Sequence, residues 1–380
     1  MESLGIVFIK LGQSLSLKSF LFSKETLKAL SYLQENVKPA TIDIHQYLKE
    51  YNPKLYEFKG FSVNPIPIAS ASVAQVYKGK LNDQDIAIKI VKPNIKKYIE
   101  KDFAVVFFLV KIANLFCSPA LQIVDVASDI YTNILNEINL TKEVNNLQGV
   151  KRNIVFDVGI HTPNVFFEYC NQSVMVMSYI DGISLRKVIH GTHSYNAKVI
   201  AENVIKAYLY QVYRDGFFHA DMHAGNIFVN KNNSITLLDF GLVSRISLKD
   251  RRAVATMIYA FLHNNYELVL KTQLEAGYIL EKIFFNEQYR MAMQKLSLNF
   301  QGNFEMSLFT RELFSIMNKF NVFVPKHLLM LNKTIMYVED VTKQLDPNFQ
   351  PFKVILPWIK KWYYKEQITI CAEKLFKLLK

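Results

Sequence analysis

Only three cysteines occur in 380 residues, Cys117, Cys170 and Cys371, far apart and without a C-x-x-C. That spacing excludes a disulfide framework or a structural zinc site and suits a reducing compartment. The opening segment, Met1 to Gln13, has neither a basic leader before an apolar core nor a small-residue cleavage site, so no signal peptide is expected. Long apolar runs are missing as well. The longest, Phe103 to Cys117, is interrupted by Lys111 and falls short of the roughly 18–20 residues that a membrane span requires. No transmembrane helix, internal repeat or low-complexity tract is expected.

What is present is core-forming material. Apolar types make up 50% of the chain and charged types 21%, which excludes wholesale disorder. Lysine and arginine number 45 against 33 acidic residues, a net charge of +12. The excess favours an anionic partner: a nucleotide, a nucleic acid or an acidic membrane surface. No nucleic-acid motif accompanies it, so nucleic acid is not expected as a partner.

The hydrophobic pattern reads as α+β. Residues 1 to 50 suggest helices: Leu27, Leu30 and Leu33 share a face, Ser23 can cap it and Pro39 ends it, then Ile44, Tyr47, Leu48 and Tyr51 recur at helical spacing. From Ile66 the pattern turns to short β runs. Ser72–Leu81 and Ile86–Val91 flank a turn at Asn82-Asp83-Gln84-Asp85, a hairpin signal. Helices are predicted over 99–115 and 125–149, then a strand over Ser173–Ile180 that stops at Asp181-Gly182. A long amphipathic helix follows, traced by Ala197, Ile200, Ala201, Val204, Tyr208 and Val212 and closed by Gly216. Short strands, Ile227–Val229 and Ile235–Leu238, surround a polar turn, and the remainder is mainly helical. The expected organisation is an N-terminal helical extension (1–55), a β-rich lobe (56–180), a helical lobe (181–345) and a basic amphipathic tail (346–380).

Chemistry concentrates in His219-Ala220-Asp221-Met222-His223-Ala224-Gly225-Asn226, a loop between the long helix and the following hairpin. Thirteen residues after Asn226 an apolar strand ends in Asp239-Phe240-Gly241. Phosphoryl transfer from ATP needs a carboxylate near the attacking hydroxyl and oxygen ligands for Mg²⁺ beside the phosphates. Asp221, Asn226 and Asp239 supply that set in the order that protein kinases use. A rival reading takes His219 and His223, four apart, as zinc ligands, but the glutamate of H-E-x-x-H is missing and the context is a loop. Upstream, alternation in Ile86–Val91 puts Ala87 and Lys89 on one strand face, Lys89 to reach phosphates and Ala87 to leave room for a flat base. Glu143 or Glu137 can serve as the partner of Lys89. The hairpin expected to cover the phosphates is Ile68-Ala69-Ser70-Ala71-Ser72-Val73-Ala74-Gln75-Val76, with alanine and serine where glycines are usual. Lacking glycine's freedom, this loop should be stiffer. After Asp239-Phe240-Gly241 a helix begins almost at once, with Ser247 as cap and Asp250 in its first turn. That leaves no long activation loop, and no Ala-Pro-Glu occurs. Ala220 stands where an arginine would read a phosphorylated loop, so the peptide platform and its switch are missing.

These residues resemble the UbiB family, the atypical kinase-like proteins of ubiquinone (coenzyme Q) biosynthesis, over essentially the whole chain. The characteristic K-x-G-Q appears as Lys10-Leu11-Gly12-Gln13, the alanine-rich loop as Ala69-Ser70-Ala71-Ser72, and the E-x-D element as Glu137-Ile138-Asn139, with asparagine in place of aspartate. His-Ala-Asp-x-His-x-Gly-Asn matches 219–226 in full, and Pro325–Leu345, with Lys333, Tyr337, Val338 and Glu339, is similar to bacterial members. The resemblance implies a protein-kinase-like two-lobed fold with extra N-terminal helices, led by Lys10 and Gln13, folded over the active site. It implies Asp221 as catalytic base, Asn226 and Asp239 as metal ligands, Lys89 as phosphate-binding lysine and Glu143 as its ion-pair partner. Residues 68–76 become the nucleotide loop and 174–180 the adenine hinge. ATP and Mg²⁺ are the implied cofactors. A lipid or quinone precursor, other enzymes of ubiquinone biosynthesis and an anionic membrane surface are the implied partners. The implied location is cytoplasmic, peripheral on the inner membrane. The pair of C-terminal membrane helices that similar bacterial proteins carry is missing from this sequence, as is most of the family's N-terminal extension.

Residues 353–380 hold seven lysines and two glutamates, with Trp358, Trp362, Tyr363 and Tyr364 among them and Ile368, Cys371, Ala372, Leu375 and Leu379 on one helical face. Two readings stand: an interfacial membrane helix, or a basic helix packing on the domain. Two functions follow likewise. One is an atypical ATP-dependent kinase or ATPase acting on, or regulated by, a small molecule or lipid. The other is a nucleotide-sensing, lipid-binding accessory protein that organises the biosynthetic complex.

Overall fold

A computed structural model describes residues 40–116, 123–153, 159–191, 195–299, 306–322 and 324–378. The K-x-G-Q motif with Lys10 and Gln13, the predicted helix of Leu27 to Leu33 and Cys117 lie outside them. The chain divides into two compact units. One comprises Met1–Gln148, Pro163–Asp181 and Asp239–Gly241, the other Gly149–Thr162, Gly182–Leu238 and Leu242–Lys380.

In the first unit helix α1 (Ile44–Tyr51) starts where the Asp43 carboxylate accepts from the His45 and Gln46 N–H groups. Ile44, Tyr47 and Leu48 face inward, and the Tyr47 hydroxyl donates to the Val91 carbonyl at 2.7 Å. A short turn, α2 (Pro53–Tyr56), leads into β1 (Phe61–Ser70), β2 (Ala74–Leu81) and β3 (Gln84–Val91). With the later β5 (Val174–Ser178) they form an antiparallel sheet in the order β1-β2-β3-β5. Three departures from the sequence reading appear here. Strand β1 begins at Phe61, ahead of the β pattern read from Ile66, and carries Pro65 and Pro67; it lies at the sheet edge, where a missing N–H is tolerated, and its register shifts across both prolines. The β2–β3 turn is only Asn82-Asp83, tighter than the predicted four residues, because Asn82 takes a left-handed conformation (φ 53°). Third, the single helix predicted over 125–149 is two, Ile123–Glu137 (α4) and Leu140–Lys151 (α5), preceded by α3 (Ile95–Phe116). The break falls at Asn139, whose side chain accepts from the Thr141 N–H at 3.2 Å and so caps α5. Ile86, Ile88 and Ile90 on one face of β3 are fully buried with Tyr77, Val174, Val176 and Leu48 in the core of this unit, leaving Ala87 and Lys89 on the opposite face.

The second unit opens with β4 (Ile160–His161), which joins a four-stranded sheet in the order β4-β9-β8-β6, with β6 (Ile183–Ser184), β8 (Ile227–Val229) and β9 (Ile235–Leu237). Helices α6 (Leu185–His190) and α7 (Ala197–Leu209) follow, and α7 runs into a wider π turn, Tyr210–Asp215. Gly216 ends it at φ +68°, where a Cβ would stand 2.7 Å from the Ile246 carbonyl oxygen. The chain then enters β7 (Phe217–His219), which pairs with β10 (Val243–Arg245). Ser247 caps α8 (Leu248–Leu262), as expected, accepting from the Asp250 N–H at 3.0 Å. Helices α9 (Tyr266–Ala276), α10 (Glu281–Phe284), α11 (Glu287–Asn299), α12 (Met306–Lys319), α13 (Lys326–Leu345) and α14 (Pro351–Leu378) complete it.

Helix α14 decides much of the tail question. Trp358 and Trp362 pack on Tyr213 with ring centroids 5.8 and 5.6 Å apart, Tyr363 stacks on Tyr259 at 4.4 Å, and Arg252 bridges Glu366 and Glu373. The aromatic half of the tail thus packs against its own unit, as the second of the two readings expects. Ile368 and Leu375 remain exposed, while Leu379 lies outside the described residues. No helix among the described residues is long and apolar enough to cross a membrane.

Candidate active site

Strand β3 places Lys89 and helix α5 places Glu143, and the two meet: the ammonium donates to both carboxylate oxygens at 2.7 and 2.8 Å. Both side chains are buried, 12% and 5% exposed. Asp239 stands 3.3 Å from the same ammonium. Its backbone is left-handed (φ 58°), a conformation that aspartate tolerates better than most residues, and its carboxylate accepts from the Gly241 N–H. Phe240, next in the chain, is fully buried; its N–H bonds to Glu143 and its carbonyl accepts from the Asn146 amide at 2.9 Å. Burial opposes the Lys89 charge, but Asp239 and Glu143 outweigh it and hold the ammonium well above the ordinary lysine range. Burial pushes the Glu143 carboxyl up, against the pull of Lys89 and the Phe240 N–H. Of the two glutamates open to Lys89, the structure joins Glu143 to it. Glu137 stands at the end of α4, before the Asn139 cap.

The segment 68–76 forms the β1–β2 hairpin of the same unit. Ile68, Ala69 and Ser70 end β1, Ala71, Ser72 and Val73 make the tip, and Ala74, Gln75 and Val76 begin β2. The tip closes on itself, since the Ala71 N–H donates to the Ala74 carbonyl at 2.8 Å. Gln75 is fully buried, and its amide donates to the Ala40 carbonyl.

In the second unit β7 delivers His219 to the start of the loop. Its N–H donates to the Gln211 side chain at 3.0 Å, its Nδ1 accepts from the Asp221 N–H at 3.1 Å, and its Nε2 lies 2.9 Å from the Leu238 carbonyl. Those two ring contacts fix the neutral, Nε2-protonated form and occupy both nitrogens, so the histidine orients the loop and has no lone pair for zinc. His223 Nδ1 accepts from the Gly225 N–H at 3.0 Å, which leaves Nε2–H toward the Asp221 carboxylate at 3.7 Å. The Asn226 amide donates to the Asp221 carbonyl at 3.1 Å, fixing the carboxamide with its oxygen as the remaining donor for a metal. Among the described residues no group of three or more His, Cys, Asp or Glu could hold a metal ion by itself. An Mg²⁺ shared with substrate phosphates asks less, one or two protein oxygens, and Asn226 and Asp239 each carry one such oxygen within their own unit.

One partner was missed from sequence. Lys333 on α13 donates to Asp221 Oδ1 at 2.9 Å, with side chains 17% and 28% exposed. Burial pushes the Asp221 carboxyl up, but the Lys333 ammonium, helped by His223, outweighs it and holds it below the usual carboxylate range. Position in the chain gave no signal for this pair, because 112 residues separate the two.

Comparison with known proteins agrees with this architecture. Residues 32–273 match the ABC1 atypical kinase-like domain and residues 301–350 the UbiB helical domain. A "Probable protein kinase UbiB" of Aeromonas salmonicida is 31% identical, over 98% of this chain and 73% of that one. Its counterpart in Blochmanniella pennsylvanica is 32% identical, over 98% and 71%. In fold, the chain is similar to Rv3197 of Mycobacterium tuberculosis, solved in complex with erythromycin, with a TM-score of 0.65 at 20% identity over 88% of this chain and 87% of that one. With a kinase-like domain over most of its length, a UbiB helical domain behind it and relatives of this name along nearly its whole extent, the chain belongs to the UbiB family of atypical kinase-like proteins.

Proposed function

We propose that this protein binds Mg·ATP and transfers the γ-phosphoryl group to a small-molecule or lipid acceptor, in support of ubiquinone biosynthesis. The observation that carries the reading is the two-point Lys89–Glu143 pair, a buried ammonium held charged and oriented on the strand face beside the small Ala87. In this reading Lys89 binds the phosphates and the hairpin of 68–76 covers them. Asn226 and Asp239 each offer an oxygen to Mg²⁺, which supplies charge neutralisation at the phosphates when bound. Asp221 orients the acceptor hydroxyl and takes its proton as the new O–P bond forms and the β–γ bridge breaks, releasing ADP. With water as acceptor the same steps give an ATPase.

The test is Mg²⁺-dependent release of ADP by purified protein, with and without anionic liposomes, beside Asp239→Ala. Turnover that disappears in the folded variant supports the reading; unchanged turnover in it refutes it. The second reading, a nucleotide-sensing accessory protein bound to lipid, is favoured by the closed hairpin tip, where the Ala71 N–H is spent on Ala74 rather than kept for phosphate. Nucleotide binding without turnover under either condition selects it.

A further inference from the structure

Helix α3 presents an apolar face that the described residues leave uncovered. On its inner side Ile95, Ile99, Phe103 and Val106 are buried, and Phe103 and Phe107 pack on Tyr131 of α4 with ring centroids 4.9 and 6.0 Å apart. Turned away from that seam, Tyr98, Val105, Phe108 and Leu109 are between 51% and 63% exposed. They stand at i, i+7, i+10 and i+11, which puts them on one face as a continuous strip, unlike the single exposed apolar residues that any surface carries.

The charges around the strip select its occupant. Lys101 lies within it, and Lys97 and Lys111 run along one border; all three are exposed. The exposed acid on that border, Glu100, is paired with Lys96 at 3.8 Å, and Asp102 on the other border is half-buried. Lysines toward both ends of the helix mean that two copies would set lysine against lysine in parallel and antiparallel pairing alike. The strip therefore does not complement itself. An anionic lipid surface does complement it, since lysine stems lie along apolar surface while their ammonium groups meet phosphates, and tyrosine suits the headgroup level. Polarity is also graded along the helix. Lys96, Lys97, Glu100, Lys101 and Asp102 gather near its start, and Lys111 is the one charge in the run from Phe103 to Cys117, which is too short to span a bilayer. A seam for a partner helix has no need of that gradient, whereas a helix that enters a headgroup layer by one end does. We propose that α3 docks the protein on an anionic lipid surface, with Phe108 and Leu109 sunk to the acyl boundary and the lysines near its start on the headgroups. The aromatic residues of α14, the other candidate for that role, are engaged on their own unit.

The test uses the full chain and vesicles of phosphatidylcholine, alone or with a third of the lipid phosphatidylglycerol. Partition is read by sedimentation without nucleotide, so its outcome is separate from that of the proposed phosphoryl transfer. Native protein should sediment with the anionic vesicles. Phe108→Ser with Leu109→Ser should lower that partition by about tenfold or more. Lys97→Gln, Lys101→Gln and Lys111→Gln together should remove most of the preference for anionic over neutral vesicles, at about fivefold per lysine. Should a variant not fold, radical footprinting of the native chain decides. Oxidation of Tyr98 and Phe108 should fall several-fold when anionic vesicles are added, while Phe285, exposed on the second unit, keeps its rate. Native protein that stays off anionic vesicles overturns the proposal. So does binding that leaves the Tyr98 and Phe108 oxidation rates and the partition of the serine variant unchanged. Self-association without lipid that the serine variant abolishes also overturns it, in favour of a second copy of the chain.

Discussion

Lys89–Glu143 in the first unit and Lys333–Asp221 in the second are both lysine–carboxylate pairs, yet they are assembled differently. Lys89 extends from a central strand, its charge is shared by Glu143 and Asp239, and neither it nor Glu143 keeps much contact with water. Lys333 reaches a loop from a helix, makes a single bond, and leaves Asp221 more than a quarter exposed. The first arrangement suits a charge that must stay fixed while phosphates arrive. The second suits a carboxylate that must exchange partners during a reaction, because a solvated pair costs less to part than a buried one.

The largest expected effect breaks the first pair. Lys89→Met strands Glu143 and Asp239 together, and removing one partner of a buried pair costs about 3–5 kcal/mol. Urea unfolding at pH 8 measures it. Stability of this variant should recover as the pH is lowered toward 6, because Glu143 can then take up a proton, and adding Glu143→Gln should recover most of the loss at pH 8. A loss below about 1 kcal/mol would mean that water reaches the pair far more freely than its burial indicates.

The second effect separates the pairs by pH. The Asp221 carboxyl is held low in the fold, so its contribution to stability is present above the ordinary carboxylate pKa of about 3.9 and is lost as the pH falls through the folded value. The Lys89 ammonium is held high, so its contribution is complete below the ordinary lysine pKa of about 10.4 and is lost as the pH rises through the folded value. The stability gap between native protein and Lys333→Met should therefore close below pH 4, and the gap for Lys89→Met above pH 10. A Lys333→Met gap that persists below pH 4, or a Lys89→Met gap that stays constant through the alkaline range, would break the comparison.

The same contrast explains what the sequence disclosed. Lys89 was legible because strand alternation fixes which face a residue takes, and the loop 219–226 because Asp221 and Asn226 stand at a spacing that a short loop preserves. The α8 cap was legible because Ser247 and Asp250 are neighbours in the chain. The start of strand β1, before Ile66, was hidden by Pro65 and Pro67, which argue against a strand unless its edge position is known. The break at Asn139 was hidden because one asparagine without glycine or proline is a faint signal, although asparagine caps a helix as well as the aspartate it replaces. Lys333 and the packing of Trp358 and Trp362 were hidden for a different reason. A lysine or an aromatic on a helix has the same spacing whatever it meets, and only the tertiary fold says which partner that is.

The smallest effect concerns Lys333 as a stabilising contact. A single ion pair that is partly solvated contributes about 1 kcal/mol, and the His223 N–H can move in from 3.7 Å when the ammonium is removed. Lys333→Met should therefore lower the unfolding free energy at pH 7 by about 1 kcal/mol, a shift of a few degrees at most in thermal midpoint for a chain of this size. Adding Asp221→Asn should recover part of it, because no carboxylate is then left without its counter-charge. A loss of 3 kcal/mol or more would place Lys333–Asp221 in the same class as Lys89–Glu143, fixed and structural, and a carboxylate so tightly held would be a poor one to ask for a proton transfer.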